Sequence, residues 1–498
     1  MMDGAGVGES APDERQAGLA LLERLESHPA LAEVAPDLRA VFRQTLDREP
    51  PLRVLQVLAN DIEVGWLVDA NDIWLFQYSP YWAAHPDAFD LSPVLSRVQL
   101  THLDRSTLRP VQWFFDNLLP EEELRQVLAT EARLEAADAF GLLRYYGAES
   151  AGALVLRPVG APAAEPGLRE LTPEALHQRI LDLPRAPLTK EAPKRMSLAG
   201  AQHKMVLVVA EGVLYEPLPG TPSTHILKPN SLSPHYPATV INEYFAMRLA
   251  RKLGLAVPEV RRIYVPEPAY IVARFDRTAG SLDPDAGSAQ VNRRHAIDTC
   301  QLLGTSRVFK YEQASLETLA TALERVRSRA PARRQLFMWL VFNVLIGNAD
   351  NHLKNLSFIV SPLGVELAPA YDLLSTAVYD TRGYAGERAA WPHTPLALPI
   401  PGATTFAQVT RDGLIEAGVA LGLGRPMAQR VLGAMLQSVE ARTTQLLAEI
   451  DAQYDRRRPE GVFSAALAND VTKGAERNLL RAIWHIVIRD MLVQLAEA

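Results

Sequence analysis

The most constraining feature of the chain is an abrupt change of polarity in its second half. Leu336 to Ile346 is apolar except for Asn343, and Ile346-Gly-Asn-Ala-Asp-Asn-His-Leu-Lys-Asn355 follows at once, before an apolar, strand-like Leu356 to Val360. At eleven residues the apolar stretch is far short of the ~20 that a membrane helix requires, so it reads as a buried helix. Six polar side chains in the next ten residues are costly beside a core unless each has a partner or a task. Any fold of this chain must therefore deliver a polar loop directly from a buried helix to the edge of the core.

Asp350 and Asn355 are five residues apart. Phosphoryl-transfer loops use this separation, with the aspartate accepting the proton of the substrate hydroxyl and the asparagine holding a magnesium ion. Asp372, in Leu367-Ala-Pro-Ala-Tyr-Asp372 after a second short strand, supplies a carboxylate where such a site bridges Mg2+ to the β and γ phosphates. A loop of capping asparagines and aspartates would account for the run alone, and His352 alone reads as a hydrogen-bonded core histidine. The upstream half shifts the balance. Met196-Ser197-Leu-Ala-Gly-Ala-Gln-His-Lys204 precedes a hairpin, His225-Ile-Leu-Lys228 precedes a helix bearing Glu243, and Ala273-Arg-Phe-Asp276 follows. Small side chains in a loop let backbone N–H groups approach phosphates, a strand-end lysine can reach the α and β phosphates, and a glutamate on the next helix can pair with it. Each has a plainer explanation taken singly: a tight turn at Gly200, a snorkelling Lys228, a solvated Glu243. In this order they follow the sequence logic of a bilobed kinase.

The rest of the chain fits such a plan. Residues 17 to 47 show helical spacing broken by Pro29 and Pro36, and strands are predicted at Arg53–Leu58, Val64–Val68 and Ile73–Tyr78, then helices over 110–145. Seven prolines between Pro158 and Pro193 predict an extended connection with one short helix near Pro173–Leu183. A hairpin around Ala210-Glu-Gly212 and a helix from Asn242 to Leu253, stopped by Gly254, come next. Beyond Ala296 nearly every segment reads as helix, and a cleft is expected between the two unlike halves. The net charge of -7, from 51 basic and 58 acidic side chains, argues against a surface that wraps nucleic acid by bulk electrostatics. Arginines at 325–334 and 456–458 read as solvated faces. The single cysteine, Cys300, excludes an intrachain disulfide and reads as a buried small hydrophobe in a reducing compartment. Met1 to Gln16 lacks the basic start and apolar core of a signal peptide, so a cytoplasmic location with no membrane association is expected.

The segments S-L-A-G-A-Q-H-K, T-H-I-L-K, N-E-Y-F-A-M-R-L-A, A-R-F-D-R, R-H-A-I-D-T-C-Q-L-L-G, K-Y-E, I-G-N-A-D-N-H-L-K-N and A-P-A-Y-D-L-L-S resemble, in order, the HipA family of Ser/Thr kinase toxins. V-G-W-L-V…F-Q-Y-S-P-Y-W with W-F-F-D-N-L-L-P resembles that family's N-terminal subdomain. The resemblance covers most of the chain. It implies an α+β, bilobed protein-kinase-like fold with a β-containing N-lobe and an all-α C-lobe. The expected divisions are a helical extension (1–50), the N-terminal subdomain (51–160), a kinase N-lobe with phosphate loop and hinge (161–275) and a C-lobe with the catalytic and metal-binding loops (276–498).

The resemblance further implies transfer of the ATP γ-phosphate, with Mg2+, to a serine or threonine of another protein. Asp350 would be the catalytic base, acting with Asn355, and Asn355 and Asp372 the magnesium ligands. Lys228 would hold phosphate, with Glu243 as its partner. Ala199, Gly200, Ala201, Gln202, His203 and Lys204 would form the phosphate loop, Ala273, Arg274 and Phe275 the adenine-contacting hinge, and His352, Lys354 and Tyr371 further nucleotide contacts. Ser197 matches the family's autophosphorylation site, where two added negative charges would repel the phosphates of ATP. Expected partners are a small HipB-like helix-turn-helix antitoxin, which would carry most of the grip on DNA, and a protein substrate that in the family can be an aminoacyl-tRNA synthetase. His203 stands where the family often has Glu, and Ala273 where the hinge is often acidic. Two other readings are a kinase-like co-repressor with vestigial catalysis and a kinase for a small molecule.

Overall fold

A computed structural model of the chain describes residues 52–162, 164–183, 185–188, 202–283, 288–455 and 468–497. The helical extension expected over 1–50 lies outside the described residues, as do Ser197, Ala199, Gly200, Ala201 and the arginines at 456–458.

Alternating apolar residues build the first sheet. β1 (Arg53–Ala59), β2 (Ile62–Ala70) and β3 (Ile73–Tyr78) form an antiparallel meander. Its two turns hold Asn60, Asp61, Asn71 and Asp72 at positive φ (46°, 66°, 54° and 65°), which asparagine and aspartate tolerate because their short side chains bond locally. β4 (Thr101–Leu103) and β5 (Leu154–Pro158) extend the sheet to the order β4-β3-β2-β1-β5. Helices Pro110–Asp116, Glu122–Ala132 and Ala139–Tyr146 fill the region predicted to be helical.

The proline-rich connection contains the expected helix, Pro173–Asp182, started by Pro173 and capped by the Thr172 hydroxyl, which accepts from the Ala175 amide. It also contains a strand that its composition did not announce, β6 (Leu168–Glu170), which pairs with the segment Val213–Pro217. β7 (Met205–Ala210), β8 (Val213–Pro217), β9 (His225–Pro229), β10 (Val260–Tyr264) and β11 (Pro268–Ala273) join it in a six-stranded sheet of order β10-β11-β9-β7-β8-β6. Strand alternation separates its faces. Ala269 and Ile271 pack with Leu176 and Ile180 in a small core of their own. Tyr270 and Val272 instead join Tyr244 and Phe245 of helix Thr239–Lys252 in the main core.

The C-terminal half carries the helices expected of it, including Leu316–Glu324, Arg329–Leu345, Arg411–Ala420 and Arg425–Asp455. The expectation of an all-α lobe needs one amendment within the α+β class. β12 (Arg277–Asp283) pairs with β13 (Ser288–Arg293), and β14 (His295–Asp298), β15 (Ser357–Ser361) and β16 (Gly364–Leu367) form a sheet around the polar loop. These runs are too short for periodicity to separate them from helix; Ala296 and Ile297 become strand because Ile359 and Phe358 supply the ladder.

One apolar core runs from the first sheet (Leu55, Phe76) and the helix beside it (Phe115) through Leu302 into the helical half (Phe337, Leu414). Polar contacts follow the same seam. Gln301 Nε2 donates to the Phe114 carbonyl at 2.9 Å, Asn117 Nδ2 to the Thr305 carbonyl at 3.1 Å, and His295 stacks on Phe89 with ring centroids 4.5 Å apart. Among the described residues, no helix is long and apolar enough to cross a membrane.

Candidate active site

The polar loop is anchored by the one polar residue of the apolar helix. Asn348 Nδ2 donates to Asn343 Oδ1 at 2.8 Å, the Asn348 amide donates to the Asn343 carbonyl at 2.8 Å, and Asn348 Oδ1 in turn accepts from the Asp350 amide at 3.0 Å. Gly347, at φ 63°, makes the turn between them, and a Cβ there would meet Val487 Cγ1 at 2.6 Å. The five-residue spacing then acts through the backbone: Asn355 Nδ2 donates to the Asp350 carbonyl at 2.7 Å. Bonded this way, the Asn355 amide oxygen retains its lone pairs.

Lys228, at the end of β9, meets Glu243 from the adjacent helix and Asp372 from the other lobe. Its amine donates to Glu243 Oε1 and Oε2 at 2.9 and 3.1 Å and to Asp372 Oδ1 at 2.6 Å. Burial opposes charge on this lysine, but the two carboxylates outweigh it and hold the amine protonated well above its ordinary range. Burial also opposes charge on Asp372, and Lys228 nevertheless keeps that carboxyl below its usual value. Asp372 sits at φ 56°, a left-handed conformation that costs about 1–3 kcal/mol for a residue with a side chain and clusters at functional sites. Lys204 lies close by, and burial, with the like charge of Lys228, lowers its amine to about 8.

These residues line one cavity of about 260 Å3 that contains Lys204, Lys228, Glu243, Asp350, Asn355 and Asp372. Burial raises the Asp350 carboxyl, while the neighbouring His352 and a hydrogen bond from Tyr311 work against that rise. Ala273, Arg274, Phe275, His352, Lys354 and Tyr371 line the same cavity. Gln202 reaches β9, its Nε2 donating to the Pro229 carbonyl at 3.2 Å. His203 Nδ1 is buried with no hydrogen-bond partner among the described residues, and burial lowers this histidine.

At two positions the geometry sharpens the expected roles. The Ala273 and Arg274 amides are already bonded to the Glu259 and Thr224 carbonyls at 2.9 Å each. The Arg274 guanidinium turns into a buried cluster, donating to Glu149 Oε1 at 2.8 Å and to Asp276 Oδ2 at 2.7 Å. Arg277 and Arg293 also donate to Glu149, at 3.1 and 2.9 Å. Lys354 is likewise engaged: its buried amine bonds Asp298 and Asn117, and its backbone carbonyl accepts from the Tyr371 hydroxyl at 2.6 Å. The Tyr371 ring lies 5.5 Å from that of Phe275.

Sequence reasoning missed the contribution of the first sheet's helices to this cavity. Asn117, Glu121 and Glu122 line it, and Lys310 joins them, donating to Glu121 at 2.5 Å and Glu122 at 3.1 Å. No spacing rule links residues near 120 to residues near 350, and the unusual W-F-F-D-N-L-L-P-E-E-E run does not by itself reveal what it packs against.

The chain is similar to known proteins over most of its length. A family model described as the HipA-like C-terminal domain matches residues 196–443, and one described as the HipA N-terminal domain matches residues 55–157. The protein Y4mE of Sinorhizobium fredii is 34% identical over 391 residues, covering 76% of this chain and 88% of the relative. The serine/threonine-protein kinase toxin HipA of Shewanella oneidensis is 33% identical over 352 residues, covering 66% and 76%. The solved complex of that organism's toxin-antitoxin system, HipA with HipB and operator DNA, includes a chain that matches with a TM-score of 0.69 and 26% identity, covering 89% of this chain and 99% of that one.

Proposed function

The chain belongs to the HipA family of serine/threonine kinase toxins, and from that premise we propose that it transfers the γ-phosphate of ATP to a serine or threonine of a protein target. The single observation carrying this reading is Lys228 bonded at once to Glu243 and Asp372 across the cavity that also holds Asp350 and Asn355. The acceptor oxygen attacks the γ-phosphorus, the bond from that phosphorus to the β–γ bridging oxygen breaks, ADP leaves, and the acceptor's proton passes to Asp350. Burial raises the basicity of Asp350 and suits it to this task. Lys228 is held charged by its two carboxylates for the α and β phosphates, Lys204 adds a second cation, and Phe275 and Tyr371 flank the place proposed for the adenine.

Asn355 and Asp372 fit a magnesium ion, since both offer hard oxygen donors and Mg2+ needs only one or two protein ligands beside phosphates and water. Among the described residues, no group of three or more His, Cys, Asp or Glu could hold a metal ion by itself. When bound, the ion would neutralise charge on the β and γ phosphates.

The proposal extends to regulation and partners. Phosphorylation of Ser197 would silence the enzyme by adding negative charge that repels the phosphates of ATP, and a HipB-like antitoxin would restrain it and supply most of the grip on DNA. The 26% identical HipA of the HipA–HipB–operator complex supports the antitoxin assignment, and an aminoacyl-tRNA synthetase is one protein class to test as target.

Incubation with γ-labelled MgATP tests the core of this reading. Label should appear on the protein or an added target and vanish in Asp350→Asn, which keeps the size and shape of the side chain. Equal labelling of both would overturn Asp350 as base. Growth arrest on expression, relieved by Asp350→Asn, is the outcome expected of a toxin.

A further inference from the structure

Tyr311 has no part in the mechanism above, yet its hydroxyl donates to Asp350 Oδ1 at 2.5 Å. An acceptor serine or threonine must make this same bond, because a general base has to lie within hydrogen-bond reach of the proton it removes. Tyr311 is 46% exposed, and the carboxylate it touches is half-buried at the cavity wall. Its ring meets His352 edge-on at 4.9 Å, and the Lys310 amine lies 5.2 Å from its centroid.

The backbone beneath this side chain is held. The Leu353 amide donates to the Lys310 carbonyl at 3.1 Å, and the Lys310 amine is fixed by Glu121 and Glu122. A half-exposed ring on a fixed turn can rotate away without opening the core.

We propose that the Tyr311 hydroxyl marks the seat of the acceptor hydroxyl, and that Tyr311 holds this seat until an entering serine or threonine displaces it. The inference rests on Asp350 being the base. Tyr311 thereby competes with the acceptor, and with water, for one carboxylate oxygen. Water is the smallest competitor, so hydrolysis of ATP in the absence of any protein target reports the competition directly.

The test is steady-state hydrolysis of MgATP by the full chain, comparing wild type with Tyr311→Phe, which keeps the ring against His352 and removes only the hydroxyl. Hydrolysis should rise roughly tenfold, the low end of the fold-change for releasing one hydrogen bond to a charged group, with KM for ATP unchanged. With a degenerate serine-peptide mixture as acceptor, the half-saturating concentration should fall. A rate equal to or below wild type overturns the inference, and a loss of kcat at constant acceptor KM does so too, because it assigns Tyr311 to orienting the base. Asp350→Asn in the same assay separates the two readings. If it hydrolyses ATP as wild type does, the base assignment has failed; if it abolishes hydrolysis while Tyr311→Phe brings no rise, the Tyr311 inference alone has failed.

Discussion

Asn117 and Lys354, 237 residues apart in sequence, are joined twice: the lysine amine donates to the Asn117 backbone carbonyl at 3.1 Å and to its Oδ1 at 2.8 Å. Lys354 directly precedes Asn355, so a helix end of the first sheet's layer fixes the loop that bears Asp350. In Asn117→Ala the buried ammonium loses one of its acceptors, and the bond from Asn117 Nδ2 to the Thr305 carbonyl is lost as well. The expected cost is about 2–3 kcal/mol of stability, measured by urea unfolding. Turnover should fall while calorimetric affinity for ATP stays near wild type; an unchanged kcat would show that the tie is only structural.

Glu149 is fully buried and accepts from Arg274, Arg277, Arg293 and the Ser223 hydroxyl. Glu149→Gln keeps the shape and removes the charge that offsets three guanidinium groups. Breaking a buried ion network from one side costs about 3–5 kcal/mol. Chemical denaturation should register that loss, and a change below ~1 kcal/mol would mean that Asp276 alone balances the cluster.

His295 gives the protein an acid limit. Burial lowers it to about 4 in the folded state, and its Nε2 bonds the Leu91 carbonyl at 2.8 Å. An unfolded histidine takes up its proton near pH 6.5. Its stabilising contribution is therefore complete above that value and is lost as pH falls towards 4. About 2 kcal/mol should disappear between pH 7 and pH 5 from this residue alone. His225, also lowered to about 4 by burial and then Arg261, adds a similar share. His295→Gln should flatten part of the pH dependence of unfolding, and an identical slope would remove His295 as its source.

Lys204 sets an alkaline limit on nucleotide binding. Its amine, lowered to about 8 by burial and by Lys228, is charged below that pH and neutral above it. Only the charged form attracts phosphate, so ATP affinity should weaken above pH 8 by up to about tenfold per pH unit. Lys204→Arg should carry its charge through this range. A profile as steep as wild type in that variant would point to another group.

Much of the site could be read from residue order, because its chemistry depends on local spacing. A separation of five positions from Asp350 to Asn355 suffices for the side-chain-to-carbonyl bond that the structure contains, and a strand-end Lys228 followed by a helix with Glu243 suffices for their pairing. Other contacts escaped because they are purely tertiary. Nothing in W-F-F-D-N-L-L-P-E-E-E announces that Asn117 and Glu121 face Lys354 and Lys310. The K-Y-E segment was visible as a motif, yet only folding brings Tyr311 to Asp350. For Lys354 the family resemblance implies a nucleotide contact, and only folding shows that its buried amine also bonds Asp298 and Asn117.

The shared core of the first sheet and the helical half has a consequence for how the chain is made. Leu55, Phe76 and Phe115 leave the ribosome well before Leu302, Phe337 and Leu414, the residues that complete their packing. The intervening six-stranded sheet has a small core of its own in Leu176, Leu207 and Ile271 and can consolidate while the first sheet still waits for its cover. A nascent chain halted before residue 295 would carry an uncovered apolar seam, the kind of surface that chaperones hold and that aggregates when they do not. The polar loop is made between Phe337 and Leu414, so a product truncated before it lacks both the loop and a closed seam.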